Sequence, residues 1–431
     1  MAAMILNDVR VEDTVSDEDL QRFLQQHYDH SKGTPATCLC NATNPRMYIA
    51  HVGDRYILKR WPGSGSEHSA GCDRYEPPLE ASGIGKLLGG AIDEDPNTGE
   101  VSLALGFSLK RSPRLMEQAK KIIEKKNAAE IHEPPAIQTN SKLSLRATLH
   151  YIWEGAKLNQ WRPAMVHGRS WRDVHRVLKD TTRHLSSKGH VLANRMYIPE
   201  PFVADDKEAI RMRRRAFFQT VASNKPAREL LMFLFEVKSI EVVDGGYAVT
   251  AKHVPDDQFF MSEDTYKVLR IRYENEFSML SRESLRKATP DDPPNHLMAF
   301  GIFSVMESGI ATIEDAVLMM VTSYWIPISD ATEELCVKYA QAKKRFFSKP
   351  LSYNGGPGTA VASLILLDTP ERATSLWVIR SSDSSALHAR RADAIEKAKT
   401  NCVFIDFNTG DSIAEVMDRI PKLTAQVHAP A

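Results

Sequence analysis

The arrangement Cys38-x-Cys40 followed by His68-x-x-x-Cys72 constrains this chain more than any other feature. Zn²⁺ prefers four soft or borderline ligands in a tetrahedron, and two closely spaced pairs at the ends of a short ribbon supply that geometry. The segment between the pairs has the right form. Met47-Tyr-Ile-Ala-His-Val52 and Arg55-Tyr-Ile-Leu-Lys-Arg60 are β-prone runs, and Gly53-Asp54 sits where a two-residue turn would join them. A hairpin there returns the Cys38/Cys40 end toward His68 and Cys72. These four residues are therefore expected to hold a structural Zn²⁺ in an N-terminal zinc ribbon. A catalytic zinc needs an open position, and four protein ligands leave none. The competing reading is a set of buried thiols beside a surface histidine. Against it, three of the five cysteines fall in this one polar, Gly-rich stretch.

The other two cysteines, Cys336 and Cys402, lie in apolar surroundings and read as inert core thiols. Five cysteines in 431 residues make no disulfide framework. Lys+Arg and Asp+Glu number 55 each, so nucleic-acid binding has to come from local patches. No apolar run approaches the ~20 residues a membrane helix needs. Met1-Ala-Ala-Met-Ile-Leu6 is followed at once by Asn7, Asp8 and Glu12, unlike a secretory signal. The length suggests about three domains of ordinary size in a cytoplasmic protein.

Along the chain, Asp17 to His30 reads as an amphipathic helix capped by Ser16, with Leu20, Phe23 and Leu24 on its apolar face. Pro77-Pro78 ends the ribbon. Gly83, Gly85, Gly89 and Gly90 come next, but Lys86 has no Gly-Lys-Ser/Thr context, so tight packing is preferred to phosphate binding. A charged helix from Met116 to Lys126 and then Pro134-Pro135 make residues 111–140 a linker between an N-terminal region 1–110 and a module that begins at residue 141.

The second signal is charge. Leu143 to Trp153 has helical apolar spacing, a second helix starts near Ser170, and Ser186-Ser-Lys-Gly189 precedes a strand from Val191 to Ile198. Helices followed by a glycine turn and short strands are what a winged-helix module shows, here over residues 141–230. Residues 141–190 carry ten Lys/Arg against three acids. Arg169, Arg172, Arg176, Lys179 and Arg183 recur every three or four residues along the second helix. With Arg162, Lys188, Arg211, Arg213, Arg214 and Arg215 they form the candidate nucleic-acid surface, since such a stripe neutralises phosphates and releases counterions. The plainer alternative is a solvated helix face. Trp153, Trp161 and Trp171 read as core residues. His150, His167, His175, His184, His190, His253 and His296 are scattered and read as surface or phosphate-contacting residues; His175 and His184 are not at i, i+4 spacing.

Residues 231–431 read as an α/β domain. A hairpin with a Gly245-Gly246 turn joins Leu234–Ile240 to Tyr247–His253. A helix covers Glu263 to Leu280, and a second hairpin joins Leu297–Val305 to Ile310–Val321. Helix Thr332 to Phe347, strand Ala362 to Leu367, strand Ser375 to Ile379, helix Ser385 to Ala398, strand Cys402 to Phe407 and helix Ser412 to Ile420 complete it.

Cys38-Leu-Cys40, Tyr56-Ile-Leu-Lys-Arg-Trp-Pro-Gly63, His68-x-x-x-Cys72 and Tyr75-Glu-Pro-Pro78 together resemble the domain-of-unknown-function family 1173. So do Leu149-His-Tyr-Ile-Trp153, Leu158-Asn-Gln-Trp161, Tyr197-Ile-Pro-Glu-Pro-Phe202 and Trp325-Ile-Pro327. The resemblance covers almost the whole chain. It implies a bacterial plasmid or integrative-element setting and supports ligand roles for all three N-terminal cysteines. Separately, Phe346-Phe-Ser-Lys-Pro-Leu-Ser-Tyr353 with the strands at 362–368 and 375–379 resembles a restriction-endonuclease-like core at about 330–431. Active members place a Pro-Asp and a Glu-x-Lys on these strands to hold Mg²⁺. Here Ala362-Ser363 and Trp377 stand at those positions, leaving Asp368 as the one nearby acid, which implies an inactive copy.

The expectation is an α+β multidomain chain: an N-terminal zinc ribbon, a central winged-helix-like module and a mixed α/β C-terminal domain. Its expected role is a non-catalytic, nucleic-acid-binding accessory protein of a mobile element, with DNA ahead of RNA. Other proteins of a plasmid-encoded complex are further candidate partners, and no membrane insertion is expected. The alternatives are a divergent nuclease using Asp368 with Glu371 or Asp393, and a protein–protein scaffold whose basic stripe meets an acidic partner.

Overall fold

Five short strands build the N-terminal unit of the computed structural model, which describes residues 3–423 apart from 7, 13–14, 29–33, 53–54, 79–80, 86, 96–98, 112–140, 288, 290–292, 356–359, 371, 381–382 and 399. The Gly53-Asp54 turn, the helix expected from Met116 to Lys126, Pro134-Pro135 and Glu371 lie outside the described residues. In the N-terminal unit, β1 (Met4–Leu6), β2 (Val9–Val11), β3 (Thr34–Cys38), β4 (Arg46–Val52) and β5 (Arg55–Arg60) form an antiparallel sheet in the order β2-β1-β3-β4-β5. The β4–β5 hairpin runs from Met47 opposite Arg60 to Val52 opposite Arg55, as the alternation of the two runs requires. Helix α1 (Asp17–His27) begins where Ser16 Oγ accepts the Asp19 N–H at 3.1 Å, and three acids fill its positive first turn. Gln21 on α1 exchanges hydrogen bonds with the Tyr56 backbone at 2.7 and 3.0 Å, occupying the outer edge of β5 as another strand would.

The central segment contains α2 (Leu145–Gly155), α3 (Trp171–Arg183) and α4 (Lys207–Gln219). On α3 the Ser170 hydroxyl accepts the Asp173 N–H while the Asp173 carboxylate accepts the Ser170 N–H. A two-stranded turn comes after α3, Leu185–Ser187 against His190–Val191, with Lys188 and Gly189 at φ 49° and 77°. Leu185–Ser187 also pairs in parallel with Val101–Leu103. The single strand expected from Val191 to Ile198 is instead two short strands around a 3₁₀ turn at Leu192–Arg195. Leu192 is buried, as are Met196, Tyr197 and Ile198 in succession, so the segment lacks the in–out alternation of a half-buried strand.

Residues 231–321 close on themselves. Leu231–Val243 pairs with Gly246–Ala251, which pairs with Phe259–Ser262. Phe259–Ser262 pairs in parallel with Ala311–Val321, which pairs with His296–Val305, and that strand returns to Leu231–Glu236. Both expected hairpins are present, and the strand Phe259–Ser262 between them is additional. The helix expected over Glu263–Leu280 is observed as Glu263–Arg272 and Glu274–Leu285, interrupted at Tyr273, whose ring is buried. Phe233, Phe235, Phe259 and Phe303 fill the barrel, with ring centroids 4.6–6.2 Å apart. Leu231–Phe235 is an unbroken apolar run because both of its faces are covered.

The C-terminal sheet has the order Asn401–Asp406, Thr374–Ile379, Leu364–Leu366, Phe347–Ser348 and Gln160–Trp161, with the first pair parallel. The helix expected to reach Phe347 stops at Ala342. Lys344 there has φ 53°, and Phe347 joins the sheet opposite Trp161. One apolar core runs from Leu87 to Ile420; a second joins Leu6, Leu24, Cys38 and Met47 to Ile365, Leu367 and Trp377. The N-terminal unit therefore rests on the C-terminal sheet. Cys336 is buried, whereas Cys402 is half-buried rather than a core thiol.

Candidate metal centre and basic helix face

Cys38 ends β3, and the chain turns at once. The Cys38 N–H donates to the Pro45 carbonyl at 2.9 Å, and Asn44 adopts φ 49° within the loop. The Asn41 side chain accepts from Thr43 and donates to the Glu67 carbonyl at 2.8 Å, tying this loop to the segment after β5. In that segment the Cys72 N–H donates to the Ser69 carbonyl at 2.9 Å. Gly65 is required there, because a Cβ would lie 2.6 Å from that of Glu76. The result brings all four expected ligands together: Cys38, Cys40, His68 and Cys72 present ligand atoms within 4.8 Å of one another. Cys38 Sγ and Cys72 Sγ are 3.8 Å apart. His68 Nδ1 lies 3.5 Å from Cys40 Sγ and 3.7 Å from Cys72 Sγ.

This group can hold a metal ion. Cys38, His68 and Cys72 are buried, and Cys40 is half-buried. His68 Nε2 is enclosed without a hydrogen-bond partner, so its ring is set by packing and by what Nδ1 faces. Backbone N–H groups point at the sulfurs; that of Ser69 reaches Cys40 Sγ at 3.4 Å. The Cys38 thiol is pushed well up by its hydrogen bond to Cys72 and by burial, and burial also raises Cys40. Cys72 is pulled down to about 4 by the Cys38 hydrogen bond, with help from His68 and the Arg74 N–H. Among sulfurs this close, ionisation of one suppresses the others, and a divalent cation removes that conflict.

The eleven basic residues separate into two groups. Arg162 pairs with Asp73 at 2.5 Å and lies over the Phe346 ring. Arg169 donates to the Gln160 carbonyl at 2.7 Å and more weakly to those of Lys157 and Leu158. Arg211 pairs with Glu208, and Arg213 with Glu200 at 2.6 Å. Arg214 is buried, bonded to Asp256 at 2.8 Å and near Asp257. These five are engaged within the fold. Arg172, Arg176, Lys188 and Arg215 are exposed and carry no ion pair among the described residues. Arg183 is exposed and pairs with Asp180 one turn back, at 3.2 Å. Lys179 is half-buried and its pKa is lowered, first by burial and then by Arg183.

Asp368, Asp393 and three of the histidines have structural partners. Asp368 accepts two hydrogen bonds from Arg345 Nε at 3.0 Å and the Phe346 N–H at 2.9 Å. Asp393 pairs with Lys397 on an exposed helix face. His150, expected at the surface, is instead buried, its Nδ1 accepting the Tyr353 N–H at 2.9 Å. His296 bonds Glu236 at 2.8 Å, and the His253 ring stacks on Trp171. Trp153, Trp161 and Trp171 are buried. Among the described residues, no helix is long and apolar enough to cross a membrane.

A family model described as "Protein of unknown function (DUF1173)" matches residues 8–405. No curated protein and no solved structure matches the chain.

Proposed function

The chain belongs to the DUF1173 family, and from that premise we propose that it is a zinc-stabilised, non-catalytic nucleic-acid-binding accessory protein of a mobile genetic element. The exposed row Arg172, Arg176 and Arg183 on α3 carries this reading, with Lys188 in the turn beyond it. The steps of four and seven residues keep the three arginines on one helix face, and the turn after α3 takes the place of a short wing. A row of guanidinium groups facing solvent without tertiary ion pairs suits phosphate contact.

Zinc is proposed from the donor set and its dimensions. A four-coordinate Zn²⁺ with Zn–S of ~2.3 Å and Zn–N of ~2.0–2.1 Å requires edges of ~3.8 Å between sulfurs and ~3.6 Å between sulfur and nitrogen. The separations of 3.8, 3.5 and 3.7 Å fit. With all four positions filled by protein, the ion would stiffen the junction of the two arms rather than activate a substrate.

The test is titration of labelled duplex DNA at two salt concentrations, with metal quantified on the same preparation. Reversing Arg172, Arg176 and Arg183 to Glu should weaken binding and flatten its salt dependence, by a log–log slope of ~0.9 for each phosphate no longer neutralised. Unchanged affinity in the triple variant would reject α3 as the contact surface. About one zinc per chain is expected.

A further inference from the structure

The barrel at 231–321 has a specific connectivity. Numbered along the chain, its strands neighbour one another in the order 1-2-3-5-4-1, with the third and fifth parallel. The helices Glu263–Arg272 and Glu274–Leu285 lie between the third and fourth strands. The first strand shifts register between Val237 and Ser239, so its first half pairs with the fourth strand and its second half with the second. This is the plan of the oligonucleotide/oligosaccharide-binding barrel, whose ligands cross the outer face of strands two and three. On that face Thr250, Phe260 and Thr312 stand partly exposed, Ala248 between them is buried, and Ser262 caps the helix that begins at Glu263. Their neighbours Val249, Phe259 and Met261 are buried, and α2 packs over the fourth and fifth strands.

Beside this face lies an open cleft of about 640 Å³. Lys252 and His253, in the connection from strand two to strand three, form one wall; Trp171 and Arg172 at the start of α3, with Phe202, form the other. The Trp171 and His253 rings stack at 5.0 Å and 8°, fixing one wall to the other. Phe202 is 44% exposed, an apolar ring kept at the cleft mouth. Arg172 is exposed, and Lys252 keeps donors to spare beyond its 2.7 Å bond to Glu236. The lining includes Arg172 and Lys252 and no carboxylate, while Glu236 bonds Lys252 and His296, and Asp256 and Asp257 face Arg214. The cleft therefore presents positive charge beside an aromatic ring.

We propose that this cleft and the adjoining barrel face bind single-stranded nucleic acid, with Phe202 stacking on a base and Arg172 and Lys252 contacting flanking phosphates. The proposal rests on the nucleic-acid reading above but assigns a different ligand, on a surface that shares Arg172 with it. Paired bases of a duplex offer no free face to Phe202, so the strand must be single.

The experiment compares a labelled oligothymidylate of ~16 nucleotides, an abasic strand of the same length and a duplex, each titrated with the full chain, with Phe202→Ala and with Phe202→Trp. Phe202→Ala should weaken binding of the oligothymidylate roughly 5- to 100-fold, as loss of one stacked base does, while duplex affinity stays unchanged and Phe202→Trp restores binding. Equal affinity for the abasic strand, or a change within about twofold in Phe202→Ala, would leave the duplex reading standing and overturn this one. A folded protein that binds none of the three removes both.

Discussion

Burial raises the Glu154 carboxyl to about 7; the Tyr353 hydroxyl, donating to Glu154 Oε2 at 2.6 Å, opposes the shift, while Glu76 adds to it. The folded state thus holds this proton more tightly than an unfolded glutamate does. That contribution to stability is fully present below ~4.5 and is lost as pH rises through about 7. Glu154→Gln keeps an acceptor for Tyr353 and removes the ionisation. Its melting temperature should match the wild type near pH ~5 and exceed it near pH ~8; an equal offset at both would refute the assignment. Arginines give a sharper contrast at this scale. Arg214→Ala removes a buried guanidinium together with its pairing to Asp256 and should cost about 1–3 kcal/mol in chemical denaturation, whereas exposed Arg172→Ala should fall within about 0.5 kcal/mol. Both residues belong to the same set of candidate nucleic-acid contacts. Charge counting cannot tell them apart, because what separates them is Asp256, a residue from the distant strand connection. The four metal-site residues were legible because all lie within residues 38–72 and their pairing depends on one hairpin.

Elements were legible in proportion to how local their pairing is. The hairpin joining Leu231–Val243 to Gly246–Ala251 announces itself by alternation around Gly245, which adopts φ 76°. Phe259–Ser262 is four residues long and pairs in parallel with a strand some fifty residues later, so nothing nearby marks it. Closure of the barrel is equally non-local, since it needs Leu231–Glu236 to meet Met298–Phe303. One residue at that seam makes closure testable. A Cβ on Gly301 would stand 2.2 Å from the Asp315 carbonyl oxygen and 2.9 Å from the Phe233 ring. Gly301→Ala must push the strands apart or displace Phe233 from the lumen, which should cost about 1–3 kcal/mol. Denaturation of the full chain measures it. A neutral substitution would mean that the strands do not meet there.

At the scale of the molecule, the metal centre lies where two halves of the chain are joined. Cys38 and Cys72 belong to the apolar cluster that also contains Ala362, Ile365 and Trp377 of the C-terminal sheet. Arg162 to Asp73 at 2.5 Å and the Gly83 N–H to the Leu351 carbonyl at 3.0 Å also cross this junction. The sheet β1–β5 is small, and α1 covers little of it, so its own core is modest. A structural zinc releases on the order of 10–16 kcal/mol on binding, enough to decide whether such a unit stays folded. Stripping the metal with a chelator should therefore unfold the N-terminal unit and uncover Trp377, now 1% exposed, while the aromatic-filled barrel holds. The expected record is a new low-temperature transition with red-shifted tryptophan emission. The shift should shrink in Trp377→Phe, and Cys72→Ser should reproduce the transition without chelator. A single unchanged transition after complete metal loss would show that packing against the C-terminal sheet alone keeps the unit in place.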